Sequence, residues 1–368
     1  MKHRNKIQIL GLGLALALSQ ASGAFASAGT VTVGKAPGET SALAETSAAQ
    51  TQAGQSTSGN VVTAGNSKVS DRPVVLPAAD GAAAEADIKQ PEVAAEGAVL
   101  LNAATGEVLY GKNQDQQFYP ASITKVMTAL VVLEHCNLND TVTFSKTATT
   151  NLESGAVALG VSEGDQLTVE QSLYGLLLKS ANEIGNGLAE HVSGSVSAFA
   201  DLMNTKAKEL GCKNTHFANP HGLNNENHKT TPYDMALILR AAVANDTFRR
   251  IDTTTSYEFP AIKNAAARTI TMGHKMMYKT DSRYYEGIIG GKTGYTSKAG
   301  NTLVTAAEKD GVRLIAVVMK AKSTHYTDTK SMFDYGFELA KAGDSVCIQA
   351  IDDMCDVLGK GISNICYV

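Results

Sequence analysis

Apolar residues change from a strand-like to a helix-like spacing near position 120 of the chain. Before that point, apolar runs at Ala98–Leu101 and Glu107–Tyr110 are joined by a Thr-Gly turn, which predicts a β-hairpin. After it, Val126, Leu130 and Leu133 follow one another at the three- and four-residue intervals of a helix face. The folded part of the chain is therefore expected to begin with two strands and a helix.

The middle of the chain contains several patterns that predict helices. Thr168–Gln171 is a capping box, in which two side chains satisfy free backbone amides at a helix start, and a leucine-rich stretch follows it. We expect the chain to break after this helix, and Thr231 followed by proline is typical of another helix start. The further predicted helices are Glu183–His191, Val196–Leu210 and Met235–Val243.

Strand-like patterning returns in the last third of the chain. A strand is predicted over Ile288–Gly294, and a hairpin over Asn301–Ala307 and Val312–Lys320 across an Asp-Gly turn. A final helix is expected over Met332–Ala340. The order of elements predicts an α+β fold, in which an antiparallel sheet from both chain ends is flanked by helices and a helical lobe is inserted.

The N-terminal region has a composition that differs from this pattern. Residues 1–26 carry a basic start, a short apolar run and a small-x-small cleavage pattern, and predict a secretory signal peptide, with an uncleaved anchor as the alternative. Residues 27–91 are rich in Ala, Ser, Thr and Gly and predict a disordered low-complexity tether. A catalytic domain is expected over 92–342 and a short, atypical C-terminal tail over 343–368, whose acidic polar face does not suit a membrane anchor.

Charge and cysteine content exclude several classes of function. The formal net charge is −4, and no run of basic residues follows the signal, so we expect no nucleic-acid partner. The chain has five cysteines, an odd number, and none in a Cys-x-x-Cys pattern. We therefore expect small buried apolar residues rather than a disulfide scaffold, no metal site and no cofactor.

Three short motifs carry the candidate chemistry, and their order is informative. Ser122-Ile123-Thr124-Lys125, Ser180-Ala181-Asn182 and Lys292-Thr293-Gly294 follow one another as the three motifs of penicillin-binding proteins and class A β-lactamases do. At a predicted helix start, Ser122 and Lys125 share one face, and free backbone amides there can stabilise an oxyanion. We expect no Ser-His-Asp triad, and interpret the histidines, His221 among them, as structural or surface residues.

The segments around these motifs resemble the D-alanyl-D-alanine carboxypeptidases, the low-molecular-mass penicillin-binding proteins. The resemblance rests on Tyr119–Thr128, Asn219–Leu223 and Gly291–Thr296, and covers about residues 93–342. It implies a penicilloyl-serine transferase fold and removal of the terminal D-alanine from peptidoglycan stem peptides. Many members carry a second, β-rich domain and then a membrane-anchoring helix, and from the short stretch after Ala342 we expect no such second domain here.

The resemblance also implies catalytic roles. Ser122 would be the nucleophile, and Lys125 its base, kept neutral by burial and by the nearby cation Lys292. Ser180 would relay a proton to the leaving amine, and Asn182 would hold Lys125 and the substrate amide.

The substrate-binding residues implied by the same resemblance lie on the predicted strand. Lys292 and Thr293 would bind the substrate carboxylate, and Gly294 would allow close approach of the backbone. The backbone amides of Ser122 and Tyr295 would form the oxyanion hole.

Two other functions remain open on the sequence. A β-lactamase on this fold needs a glutamate-led loop roughly 35 residues after the second motif, and the stretch 215–219 contains no glutamate. The second alternative function is that of a non-catalytic peptidoglycan-binding protein. The favoured prediction is an extracytoplasmic, cell-wall-associated serine carboxypeptidase, whose partners are stem peptides ending in D-Ala-D-Ala and β-lactam antibiotics.

Overall fold

In the computed structural model, which describes residues 88–343 apart from Asn151 and Ser154, an antiparallel five-stranded sheet lies at the centre of the fold. The strand order in this sheet is β2-β1-β9-β8-β7, and two further pairs, β3-β4 and β5-β6, form small separate sheets. The strands are β1 (Gly97–Asn102), β2 (Val108–Lys112), β3 (Thr141–Thr143), β4 (Gln166–Thr168), β5 (Ser256–Phe259), β6 (Arg268–Thr271), β7 (Ile288–Thr296), β8 (Gly300–Lys309) and β9 (Val312–Ala321).

The helices lie mainly between the two halves of the sheet in sequence. They are α1 (Lys125–His135), α2 (Lys146–Thr150), α3 (Val169–Leu178), α4 (Asn182–Ser193), α5 (Val196–Glu209), α6 (Pro232–Ala242), α7 (Asp246–Asp252) and α8, which spans 325–343 within the described residues. A 3₁₀ turn, Ala121–Thr124, leads into α1. Helices α1 to α7 form the inserted lobe, and α8 returns to the sheet.

Both faces of the central sheet are buried, which explains the continuous apolar runs of β1 and β9. Val99 and Leu101 of β1 pack into the core shared with the helical lobe. The alternate residue Leu100 packs into a second core with Phe333 and Phe337 of α8. Since successive side chains of a strand point to opposite faces, a strand covered on both sides needs apolar residues at every position.

The predicted α+β architecture is confirmed, including the β1-β2 and β8-β9 hairpins and the Thr168 capping box. Helix α4 begins at Asn182, as the predicted break after the second motif requires. The sequence did not predict α2, α7 or the two small sheets. Strands β3 and β4 have three residues each, of which one is buried, so they carry no readable period.

Several predicted boundaries differ from the structure, those of α1, α6 and α8 by three residues or more. The serine motif begins in the 3₁₀ turn, and α1 itself begins three residues later, at Lys125. Helix α8 begins at position 325 rather than 332. Its first turns are mostly polar, and even their buried residues Asp328 and Thr329 are polar, so they lack the apolar period.

The predicted signal peptide, all but the last four residues of the tether, and all but the first residue of the C-terminal tail lie outside the described residues. Within residues 88–343, none of the helices combines the length and apolar character needed to span a bilayer.

Candidate active site

The turn that carries Ser122 is held from two sides. Ala121 adopts a left-handed backbone conformation with φ of 51°, which is uncommon for a residue other than glycine. The Thr124 hydroxyl donates to the Ala121 carbonyl at 2.8 Å, and Thr302 of β8 donates to the Pro120 carbonyl at 2.8 Å. These bonds fix the strained turn and leave the Ser122 side chain half-buried at its surface.

Lys125 is fully buried, and its amine contacts three oxygens. Its Nζ lies 2.7 Å from Asn182 Oδ1, 2.7 Å from the carbonyl oxygen of His221 and 3.1 Å from Ser122 Oγ. A neutral amine has two N–H bonds and one lone pair. The two short contacts are to pure acceptors, so in the neutral form of Lys125 both N–H bonds are used and the lone pair can accept from the Ser122 hydroxyl.

The charge state of Lys125 follows from its surroundings. Burial lowers the pKa of Lys125 well below that of an exposed lysine, and the charge on Lys292 lowers it further. The carboxylate of Glu183 acts in the opposite direction but is the smaller influence. Lys125 can therefore be neutral and act as a base.

The second motif sits in the break between α3 and α4. Ser180 has a φ of 62°, the left-handed region, and Asn182 begins α4. The Asn182 side chain donates to the Val157 carbonyl at 2.9 Å, which directs its oxygen at Lys125. Ser180 Oγ is buried with no hydrogen-bond partner among the described residues, so this hydroxyl can serve a bound ligand.

Strand β7 brings the third motif against Ser122. A Cβ atom placed on Gly294 would lie 2.8 Å from the Ser122 backbone nitrogen and 2.4 Å from Thr302 Oγ1. Only glycine permits this approach. Because β7 is the last strand of the sheet, its outer edge is free to bind a substrate backbone, and Tyr295, 67% exposed, stands beside it.

Lys292 is buried and shares its surroundings with an acid that the sequence did not reveal. Burial lowers the pKa of Lys292 to about 8, and Asp252 at the end of α7 partly offsets this effect. The Asp252 carboxylate accepts from the Gly291 amide at 2.5 Å, and burial raises its pKa to about 7. Asp252 thus ties α7 to β7 and favours the charged form of Lys292.

The loop 219–223 completes the far wall of the cluster. Gly222 has a φ of +87°, and a Cβ there would lie 1.8 Å from the carbonyl oxygen of Ala121, the residue before Ser122. The adjacent His221 carbonyl accepts from Lys125. A cavity of about 780 Å³ adjoins the cluster through His221 and extends to Asn186 and Asn224.

Replacement of Gly222 by alanine is expected to be strongly destabilising, by about 3 kcal/mol or more, because left-handed strain and a backbone clash add together. Gly211→Ala is the matched control, since Gly211 has a φ of +84° but no atom within 4 Å of the new Cβ. It should cost only about 1–2 kcal/mol. Unfolding in urea measures both, and equal losses would contradict the close contact.

The structure brings Ser122, Lys125 and Asn182 into one hydrogen-bonded group, and Gly294 against Ser122. Ser180 lies two residues from Asn182, in the same break of the chain.

The other predicted residues lie on the adjoining strand: Lys292, Thr293 and Tyr295 belong to β7. Two acids near the site were not predicted from the sequence: Asp252, on an unpredicted helix, and Glu183, which directly follows the second motif. The position of Glu183 next to the motif was the available signal for it. No pattern in the sequence marked Asp252.

The one Gly-x-Ser-x-Gly sequence of the chain, Gly160–Gly164, is not a nucleophile elbow. Ser162 lies in a loop rather than between a strand and a helix, and its hydroxyl bonds to the Gly160 carbonyl and the Asn264 amide.

His228 and His274 are buried and neutral, since burial lowers the pKa of each to about 3. Each accepts a backbone N–H at one ring nitrogen, from Ala218 and Met276 respectively, which fits a structural role.

Comparison with known proteins agrees with this geometry. The D-alanyl-D-alanine carboxypeptidase family, peptidase S11, matches residues 84–323. The chain is 34% identical over 250 residues to D-alanyl-D-alanine carboxypeptidase DacF of Bacillus subtilis, covering 66% of this chain and 62% of that protein. It is 36% identical over 258 residues to D-alanyl-D-alanine carboxypeptidase DacB2 of Mycobacterium tuberculosis, covering 68% of this chain and 84% of that protein.

Solved structures show the same relationship. The Streptomyces K15 DD-transpeptidase superposes with a TM-score of 0.63 at 32% identity, over 68% of this chain and 99% of that one. A D-alanyl-D-alanine carboxypeptidase from Mycobacterium tuberculosis gives a TM-score of 0.61 at 35% identity, over 68% and 93%. The motifs, the fold and these matches together show that the chain belongs to the D-alanyl-D-alanine carboxypeptidase family.

Proposed function

We propose that this protein is a serine carboxypeptidase that removes the terminal D-alanine from peptidoglycan stem peptides through an acyl-enzyme on Ser122. The observation that carries the proposal is the environment of Lys125. A fully buried amine, with two acceptors for its N–H bonds and its lone pair on a serine hydroxyl, is a preformed general base. Such a base has no evident use in a protein that only binds.

Acylation would begin with attack of Ser122 Oγ on the carbonyl carbon of the penultimate D-alanine. The hydroxyl proton passes to Lys125 Nζ, and the carbonyl oxygen becomes an oxyanion held by the backbone amides of Ser122 and Tyr295. Collapse of this intermediate breaks the peptide bond. The departing amine of the terminal D-alanine receives its proton from Lys125 through Ser180, whose unpartnered hydroxyl is available for this relay.

Deacylation would repeat these steps with water in place of serine. Departure of the terminal D-alanine opens the space beside the Ser122 ester, and water entering there can lose its proton to Lys125. Attack on the ester carbon releases the shortened peptide and returns the proton to Ser122 Oγ. Each step balances without a metal or a cofactor.

Recognition of the terminal carboxylate would fall to Lys292 and Thr293. Lys292 supplies a buried positive charge that Asp252 supports, and Thr293 follows it on the same edge strand. The peptide backbone can then lie along β7 as an added strand, which orders it by main-chain hydrogen bonds.

Penicillin would acylate the same serine. Its ring fragment stays attached after the lactam opens, so the path of water stays blocked. Neither Ser122 nor Lys125 has a hydrogen bond to a carboxylate among residues 88–343, and the loop segment 215–219 lacks glutamate. We therefore propose a slow penicilloyl adduct rather than β-lactamase turnover.

The direct test of the proposal is hydrolysis of a peptide ending in D-Ala-D-Ala by the purified protein. We expect free D-alanine in amounts equal to the shortened peptide, and no cleavage of the same peptide ending in L-Ala-L-Ala. Binding of the peptide without D-alanine release would favour a non-catalytic role. Rapid appearance of hydrolysed penicillin would favour a β-lactamase.

The pH profile of kcat/KM should fall on the alkaline side with a pKa of about 8. Lys292 carries its charge below that value and loses it above, so carboxylate recognition weakens as the pH rises. Protonation of Lys125 sets the acid limb of the profile, at a pH well below the pKa of an exposed lysine. Lys292→Arg should retain charge and move the alkaline limb upward, and an unchanged limb in that variant would contradict the assignment.

We also propose that the protein is exported and acts at the cell wall. The support is the signal-like composition of residues 1–26 and the location of its proposed substrate. N-terminal sequencing of the protein recovered from cells should give a start at Ser27. A start at Met1 would favour the uncleaved anchor.

A further inference from the structure

A cluster of three metal-ligating side chains lies away from the catalytic group. One ligand atom each from Cys136, Asp140 and His191 lies within 4.8 Å of the other two. Cys136 caps the C-terminal end of α1, Asp140 lies in the following turn, and His191 belongs to the last turn of α4. Thiol, carboxylate and imidazole are the three side-chain types that bind Zn²⁺ in proteins.

The two helices that meet at this cluster are the ones that carry catalytic residues at their other ends. Helix α1 begins with Lys125 and α4 begins with Asn182, and these two side chains are hydrogen-bonded. At 1.5 Å per residue, Cys136 lies about 16 Å along α1 from Lys125, and His191 about 14 Å along α4 from Asn182. The helices therefore run side by side, joined at one end by Lys125 and Asn182 and at the other by the cluster.

Both helices present their C-terminal ends to the cluster, and these ends carry partial negative charge. A cation placed there is stabilised by two helix dipoles as well as by its ligands. The carboxylate of Asp140 adds a full charge. One of its oxygens accepts the Asn137 amide at 2.8 Å, which orients the carboxylate and leaves the other oxygen for a metal.

The distances suit a tetrahedral ion after a small adjustment. Zinc bonds of about 2.0–2.3 Å place neighbouring ligand atoms about 3.3–3.8 Å apart, so no pair needs to move by more than about 1.5 Å. Cys136 and Asp140 are half-buried and His191 is exposed, so a fourth position is open to water. Burial and Asp140 raise the pKa of the Cys136 thiol, and a bound cation would reverse this by stabilising the thiolate.

We propose that Cys136, Asp140 and His191 form a Zn²⁺ site that fastens the C-terminal ends of α1 and α4. The site is too far along both helices to touch a substrate at Ser122, so its role is to hold the two helices, and with them Lys125 and Asn182, in register. No metal site was expected from the sequence, because no cysteine stands in a Cys-x-x-Cys or Cys-x-x-His pattern and His191 lies far along the chain from Cys136 and Asp140. The proposal does not depend on which substrate the active site takes.

Cobalt binding to the full purified chain, freed of metal, tests the site. Co²⁺ replaces Zn²⁺ in such sites, and a thiolate ligand gives a near-ultraviolet charge-transfer band. We expect one Co²⁺ per chain with this band, displaced by Zn²⁺. Zn²⁺ at 100 times its Kd should raise Tm by roughly 5 °C.

Two variants and one control assign the ligands. Cys136→Ser should abolish the band and weaken Zn²⁺ binding by more than about 100-fold, and His191→Ala, an exposed change, should weaken it by at least about 10-fold. Cys212→Ser is the control, because Cys212 is also a free, half-buried cysteine but lies outside the cluster. It should bind as the unchanged protein does.

Three results would overturn the proposal. The first is that the unchanged chain binds no cobalt. The second is that the charge-transfer band survives Cys136→Ser and so belongs to another thiol. The third is that the His191→Ala variant binds Zn²⁺ as tightly as the unchanged protein. Failure to cleave D-Ala-D-Ala peptides, with the cobalt results intact, would count against the proposed function alone.

Discussion

Lys125→Ala is expected to slow acylation of Ser122 by penicillin about 1,000-fold or more at neutral pH. The change removes the proposed base, whose Nζ lies 3.1 Å from Ser122 Oγ, and no other side chain among the described residues 88–343 is hydrogen-bonded to that oxygen. Lys292→Ala should differ, since it removes a recognising charge and mainly raises the penicillin concentration needed for half-maximal rate. Acylation rates measured against penicillin concentration separate the two effects.

The control for Lys125→Ala must exclude a loss of folding, because the change removes the buried hydrogen bonds that Asn182 Oδ1 and the His221 carbonyl oxygen accept from Lys125. Thermal melting of the variant supplies that control, and Lys208→Ala, on the exposed side of α5, provides a neutral reference. Normal acylation by a folded Lys125→Ala protein would contradict the assignment of the base.

Ser122→Ala is expected to abolish peptide hydrolysis, with a loss of about 10,000-fold or more. The variant should still bind the peptide, because Lys292 and Thr293, the proposed carboxylate-binding residues on β7, are unchanged. Ser180→Ala is the informative comparison. It keeps the nucleophile and removes only the proposed relay, so an acyl-enzyme should still form, at a lower rate. D-alanine release measured for both variants checks this, and residual hydrolysis by Ser122→Ala at the unchanged rate would require another nucleophile.

The parts of the fold that could be predicted from the sequence are those determined by residues within the element itself. The buried strands β1 and β9 carry continuous apolar runs, and α3 begins with a capping box that the structure contains. The parts that could not be predicted depend on contacts between residues that are far apart in the chain. The Asp252 carboxylate meets Gly291, 39 residues away in the chain, only after α7 and the sheet pack together.

In the candidate site too, some features could be predicted from the sequence and others could not. The three motifs and their order indicated which residues would gather, and the neutral state expected for Lys125 agrees with its burial and with the charge on Lys292. The strained conformation of Ala121 and the left-handed Gly222 against it are properties of the backbone path, which no side-chain pattern records. The meeting of Cys136 with His191 arises because α1 and α4 run side by side.

The most direct test of the central claim is mass spectrometry of the protein during reaction with its two classes of ligand. With penicillin, the intact protein should gain one penicilloyl group that persists for many minutes, and proteolytic mapping should place it on Ser122. With a D-Ala-D-Ala peptide, D-alanine should accumulate while the adduct stays scarce. A stable adduct on a residue other than Ser122, or a penicilloyl group lost within seconds, would contradict the account.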